Sequence, residues 1–213
     1  MTDSMDALIF DLDGTLWDTC TTCAISWNEV VKRNKIPFRT ITADDIKKVT
    51  GLPYEQCVRN VFSNVSETEI QLLLSEAQTE ENLLLEKTGG MLYPGVLSGI
   101  KALSTKFPLF IVSNCQAGYI EGFLRQTDLG SYFKDFECWG NTRESKGSNV
   151  RSVMERNRLQ RPVYIGDTQG DQIAALACNI PFWFVSYGFG TCSSYAKKFS
   201  NFDEVKNTAL ETE

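Results

Sequence analysis

Four apolar residues in succession, Ala7-Leu-Ile-Phe10, begin the patterned part of the chain. A run apolar at every position suits a strand covered on both faces of a parallel sheet, and Asp11-Leu-Asp-Gly-Thr15 then falls at its C-terminal end. From Trp17 to about Asn34 the residues Cys20, Cys23, Trp27, Val30 and Val31 recur at three- and four-residue steps. That is the buried stripe of a helix, and Pro37 stops it. Helical patterns follow at 42–49, 53–62 and 66–86, the last rich in Glu, Gln and Leu, with nothing strand-like between them. An all-helical block thus interrupts the sheet begun at Ala7.

Gly89-Gly90 and Tyr93-Pro94-Gly95 are strong breakers, and the pattern after them alternates. The periodicity predicts helices over 95–105, 117–127, 147–158 and 170–178, with strands at 109–112, 136–139, 163–165 and 181–185. Strand and helix alternating at this length predict an α/β fold: a doubly wound parallel sheet, Rossmann-like, with right-handed crossovers. The expected division is a core of residues 1–17 and 93–213, with an inserted all-helical domain at 18–92. Residues 211–213 read as a frayed end.

Composition narrows the function classes. Of 213 residues, 42% are hydrophobic and 23% charged, ordinary globular usage that excludes a disordered tail, a collagen-like rod or a coiled coil. The net charge of −6 offers no general attraction to nucleic acid or anionic lipid, so an anionic ligand needs a local site. There is no histidine, which removes Ser-His-Asp and Cys-His hydrolases and His-ligated zinc in one step. Seven scattered cysteines, behind an N-terminus without a basic and then apolar leader, lead us to expect reduced thiols in the cytoplasm. No apolar run approaches the roughly 18 residues that span a bilayer, so a membrane role is not expected. None of this bears on oligomeric state.

In open parallel sheets, ligands bind beyond the carboxyl ends of the strands. After the first strand stand Asp11 and Asp13; after the next, Ser113 and Asn114; after a third, Gly166-Asp-Thr-Gln-Gly-Asp171. Lys146, at the start of a helix, supplies a cation. So many carboxylates repel one another unless a hard cation neutralises them, and magnesium, with its preference for oxygen ligands and substrate phosphates, is the natural occupant. Ser113, Asn114, Lys146 and the N–H groups of the Asp11 to Thr15 turn are suited to a phosphate.

These four segments, Asp11-Leu-Asp-Gly-Thr-Leu16, Ser113-Asn114, Lys146 and Gly166-Asp-Thr-Gln-Gly-Asp171, resemble the ordered motifs of the haloacid dehalogenase-like hydrolase superfamily. The likeness spans nearly the whole chain. The helical block between motifs one and two resembles the family's helical cap, as in the phosphoglycolate phosphatase-like branch.

The resemblance implies Asp11 as a nucleophile forming an aspartyl-phosphate, and Asp13 as the acid that protonates the leaving oxygen and then the base that activates water. It implies magnesium held by Asp11, the carbonyl of Asp13 and Asp167, with Asp171 acting through water or orienting those ligands. Ser113, Asn114 and the backbone around Leu12 would bind phosphoryl oxygens, Thr15 would orient the loop, and Lys146 would neutralise both phosphate and nucleophile. Thr50-Gly51-Leu52 resembles the cap loop that reaches the site. The second aspartate, Asp13, distinguishes the family's phosphatases from its dehalogenases. The expected enzyme is therefore a phosphatase of a small phosphorylated metabolite, phosphoglycolate-like or a sugar phosphate. The alternatives are a phosphomutase of the same fold or a non-catalytic protein that keeps it.

Other patterns read as packing. Cys20-Thr-Thr-Cys23 lies on the helical stripe, Cys115 is a small filler beside Asn114, and Trp17, Trp27 and Phe182-Trp-Phe184 lack the interleaved basic residues of a nucleobase-stacking surface.

Overall fold

The computed structural model describes residues 5–212. Strand β1 (Ala7–Phe10) leads to β2 (Trp17–Asp18), helices α1 (Cys20–Arg33), α2 (Ala43–Lys47), α3 (Tyr54–Val61) and α4 (Glu67–Thr88), and the short β3 (Met91–Leu92). There follow α5 (Val96–Leu103), β4 (Leu109–Ser113), α6 (Tyr119–Thr127), β5 (Phe133–Cys138), α7 (Trp139–Thr142) and α8 (Lys146–Asn157). The chain closes with β6 (Pro162–Gly166), α9 (Gln169–Ala177), β7 (Phe182–Val185), β8 (Lys197–Phe199) and α10 (Phe202–Glu211).

One six-stranded sheet runs β5-β4-β1-β6-β7-β8, and every pairing in it is parallel. The chain moves outward from β1 through β4 to β5, then returns past β1 and continues through β6, β7 and β8. That reversal puts the switch point beside β1, where such sheets open a crevice. The apolar run of β1 is continuous because both its faces are covered. Leu8 and Phe10 pack with Val96, Ile100, Phe123 and Phe202 from α5, α6 and α10. Ala7 and Ile9 pack with Val150 and Val153 of α8 and Ala175 of α9.

Helices α1 to α4 build a separate apolar cluster. Trp27 is its anchor, stacked on Phe62 with centroids 5.7 Å apart and edge-on to Tyr54 at 6.2 Å. Ser66 and Glu69 form a capping box that starts the long α4.

Three expectations differ from the structure. Trp17 is not helical: it pairs with Leu92 across an antiparallel two-strand ribbon, and the helix begins at Cys20. Its indole packs edge-on against Tyr119 and Phe123, so this apolar residue belongs to the sheet's core and not to the α1 stripe. β5 starts earlier than expected, at Phe133, and Trp139 opens α7 with its ring under the Arg143 guanidinium at 4.2 Å. The sequence pattern also missed β8 and α10. β8 is an edge strand with two exposed lysines and only Phe199 buried, so it carries no apolar run to detect. Residues 1–4 and 213, on which the leader and frayed-end expectations partly rest, lie outside the described residues. Among the described residues, no helix is long and apolar enough to cross a membrane.

Candidate active site

The carboxyl ends of β1, β4 and β6 bring Asp11, Ser113 and Asp167 to one edge, all buried. Asp11 is locked at the end of the β1–β6 ladder by its N–H, which donates to the Ile165 carbonyl at 2.8 Å. Lys146, the first residue of α8, donates through Nζ to Asp11 Oδ1 at 2.8 Å and to Asp171 Oδ1 at 2.7 Å. Asp171 is held on its other side: Oδ2 accepts from the Thr168 N–H at 2.9 Å and its hydroxyl at 2.7 Å, in the capping box that starts α9.

Asp167 is held differently. Its Oδ2 accepts from the N–H groups of Phe189 at 2.6 Å and Gly190 at 3.3 Å, whereas its Oδ1 is buried without a hydrogen-bond partner in the protein. One carboxylate oxygen from each of Asp11, Asp167 and Asp171 lies within 4.8 Å of the other two. An orphaned, buried carboxyl oxygen next to two further carboxyl groups is a donor set fitted to a hard cation such as magnesium. Gly14 makes this arrangement possible: its φ is +83°, and a Cβ there would stand 2.3 Å from Asp167 Oδ2. Gly166 does the same for Asp171, whose Cγ would lie 2.5 Å from an added Cβ.

The electrostatics follow from one ammonium facing three buried carboxylates. Burial, reinforced by the Asp171 charge, pushes Asp11 up to about 6 even though Lys146 pulls the other way. Burial and then the charges of Asp171 and Asp11 hold Asp167 well above the usual carboxylate range, opposed by the Phe189 N–H. Burial disfavours the Lys146 ammonium, but Asp11 and Asp171 outweigh it and keep that group protonated well above its ordinary range.

Asp13 lies beside this cluster and keeps one side on a cavity of about 60 Å³ between the sheet and the helical insert. Its Oδ1 accepts from the Tyr119 hydroxyl at 2.7 Å and from the Thr19 hydroxyl at 3.2 Å. Burial raises its carboxyl to about 7 against the pull of Tyr119, with Asp11 and Glu81 adding to the rise. A carboxyl that titrates near neutrality suits a group that must both give and take a proton.

The structure brings the remaining residues singled out in the sequence to the same place, in different ways. Ser113 lines the cavity at the end of β4. Asn114 is turned toward the insert: its Nδ2 donates to the Gly51 carbonyl at 2.7 Å, and its own carbonyl accepts from the Tyr54 N–H at 3.2 Å. Thr50, Gly51 and Leu52 thereby line the cavity opposite Asp11. The Leu12 backbone supports the Asp11 carboxylate. Thr15 is fully buried, with its carbonyl accepting from the Tyr187 hydroxyl at 2.8 Å.

The profile of the family described as "Haloacid dehalogenase-like hydrolase" matches residues 8–185, which contain Asp11, Asp13, Ser113, Lys146, Asp167 and Asp171. The chain belongs to the haloacid dehalogenase-like hydrolase family. Similar to this family member is a phosphoglycolate phosphatase of Rhodobacter capsulatus, 27% identical over 93% of this chain and 94% of its own length. Two solved structures share the fold. One, described as a predicted phosphoglycolate phosphatase from Haemophilus somnus, has a TM-score of 0.85 at 19% identity, covering 98% of this chain and 99% of its own. The other is a haloacid dehalogenase-like family hydrolase from Streptococcus pneumoniae, with a TM-score of 0.79 at 21% identity over 96% and 98% of the two chains.

Sequence reasoning missed several residues of this hydrolase's site. Tyr119 and Thr19, which bind Asp13, sit in segments that the sequence pattern reads only as helix. Glu81 left a legible trace: it interrupts the buried α4 stripe of Ile70, Leu73, Ala77 and Leu85. A charge in an apolar stripe marks a residue with partners inside. Cys20, Cys23 and Cys115 are free and buried, and burial raises each thiol above its ordinary value.

Proposed function

We propose that this hydrolase is a magnesium-dependent phosphatase of small phosphomonoesters, working through an aspartyl-phosphate on Asp11. The observation that carries this reading is the pairing of Lys146 with Asp11 and Asp171 beside the partnerless Oδ1 of Asp167. Asp11, the Asp13 carbonyl and Asp167 would hold the metal, with Asp171 orienting the set through Lys146 and Thr168. Bound there, magnesium supplies positive charge to the phosphoryl oxygens and to the carboxylates around them.

The chain's own residues account for the rest. The Asp11 carboxylate attacks phosphorus, and the ammonium of Lys146 offsets the repulsion between that anion and a dianionic ester. Ser113, the Leu12 backbone and Asn114 would receive the transferred oxygens, with Thr15 fixing the turn that carries Leu12. Asp13 enters protonated, gives its proton to the departing alkoxide, and then accepts one from the water that hydrolyses the aspartyl-phosphate. The Tyr119 hydroxyl orients that carboxyl throughout. The cavity between the sheet and the helical insert, lined by Asp11, Asp13 and Ser113, would receive the phosphomonoester.

The test is release of inorganic phosphate from a panel of phosphorylated metabolites, with and without magnesium. Metal-dependent release by the wild type, abolished in a folded Asp11→Asn protein, is the expected outcome. Undiminished release by Asp11→Asn would refute the mechanism.

A further inference from the structure

The cavity between sheet and insert has acid in its wall and no base: among the described residues, neither lysine nor arginine lines it. Lys146 is engaged by Asp11 and Asp171, and the nearby Lys47 points outward to Asp18 at 3.7 Å. On the insert side stands Glu81, only 3% exposed. Both of its oxygens are acceptors, one from the Trp27 indole N–H and one from the Gln116 amide, each at 2.7 Å. Burial pushes the Glu81 carboxyl above the ordinary value, against the pull of the Gln116 and Trp27 donors. Beside it, the Tyr54 hydroxyl lines the same cavity, 6% exposed at the residue level and without a hydrogen-bond partner.

A phosphoryl group placed at Asp11 and Ser113 sends its leaving group into this wall. A carboxylate there would face Glu81 across a wall that offers no cation to offset it, which binding penalises. A hydroxyl or ammonium would instead find the unpaired Tyr54 oxygen and the Glu81 carboxylate as acceptors.

We infer that Glu81 and Tyr54 set the specificity of the site for phosphomonoesters whose alcohol carries a hydrogen-bond donor, a hydroxyl or an ammonium, and that Glu81 rejects a carboxylate. The inference rests on the phosphatase reading above. It departs from the substrate in the names of the relatives, since phosphoglycolate carries a carboxylate at this position.

Three esters with the same two-carbon skeleton test it: 2-phosphoglycolate, 2-hydroxyethyl phosphate and O-phosphoethanolamine, compared by kcat/KM with saturating magnesium. Wild type should turn over the two donor-bearing esters about tenfold or more faster than 2-phosphoglycolate. Glu81→Gln, which keeps the side chain's size, should improve 2-phosphoglycolate relative to the others about tenfold, chiefly through KM. Tyr54→Phe should weaken 2-hydroxyethyl phosphate while leaving ethyl phosphate, which has no donor, unaffected. A wild type that prefers 2-phosphoglycolate overturns the inference even if Glu81→Gln fails to fold, and so does a preference that Glu81→Gln leaves unmoved. Absence of Asp11-dependent phosphate release from every ester, and from acetyl phosphate, a more reactive acyl phosphate, would remove the phosphatase reading and this inference with it.

Discussion

Asp13→Asn should abolish turnover and yet stabilise the metal-free fold. Burial raises the Asp13 carboxyl from 3.8 to about 7, so folding takes up a proton between those values. The stabilisation from that uptake is intact below the unfolded value and is lost as pH rises through the folded one. Integrating across the window, the ionised side chain weighs against folding by roughly 4 kcal/mol near pH 8 and about 2 kcal/mol near pH 5. Asp13 keeps a side on the cavity, where water screens its charge, so about half of this is the expected effect, ~2 kcal/mol near pH 8. An asparagine does not ionise, and its carbonyl oxygen retains the bonds from Tyr119 and Thr19. For a chain of this size, ~2 kcal/mol corresponds to roughly 4–8 °C in Tm. Thermal unfolding in EDTA, run near pH 8 and again near pH 5, should show the variant melting higher at the first and the gap closing at the second. A variant that melts at or below wild type near pH 8, or a gap that widens on acidification, would refute the claim that this carboxylate is held against its preference.

Lys146→Met leaves the buried Asp11 and Asp171 without their ammonium, and should destabilise the metal-free protein by about 3–5 kcal/mol at neutral pH. Urea unfolding in EDTA measures it, and an unchanged midpoint would contradict the pairing. Gly14→Ala drives a methyl against Asp167 in a backbone of positive φ, so the magnesium concentration for half-maximal phosphate release should rise about tenfold. Half-saturation at the wild-type concentration would speak against Asp167 as a ligand. Asn114→Ala removes the bond that holds the Gly51 carbonyl, at about 1 kcal/mol, and amide exchange over residues 50–54 should quicken roughly fivefold. Exchange as slow as in wild type would show that this contact does not hold the insert closed.

How much was legible depends on how local the cause is. The uninterrupted apolar run of β1 and the three- and four-residue stripes of the helices are set by which faces are covered, and burial writes that directly into residue order. Trp17 misled because an apolar residue at helical spacing served a different core, a choice made by Tyr119 and Phe123 about a hundred residues away. β8 was invisible because an edge strand needs no second apolar face.

The chemistry divides along the same line. The order of residues alone put Asp11 and Asp13, Ser113, and Asp167 and Asp171 at strand ends, because a parallel sheet aligns the C-termini of its strands whatever their separation in sequence. It also excluded histidine chemistry outright. Which carboxylate oxygens are satisfied and which stands orphaned, the pairing of Lys146 across 135 and 25 residues, and the rise of Asp13 toward neutrality were decided by tertiary structure. So was the acidic wall made by Glu81 with Tyr54. Those properties depend on distance and on the exclusion of water, and neither exists until the insert has closed over the sheet.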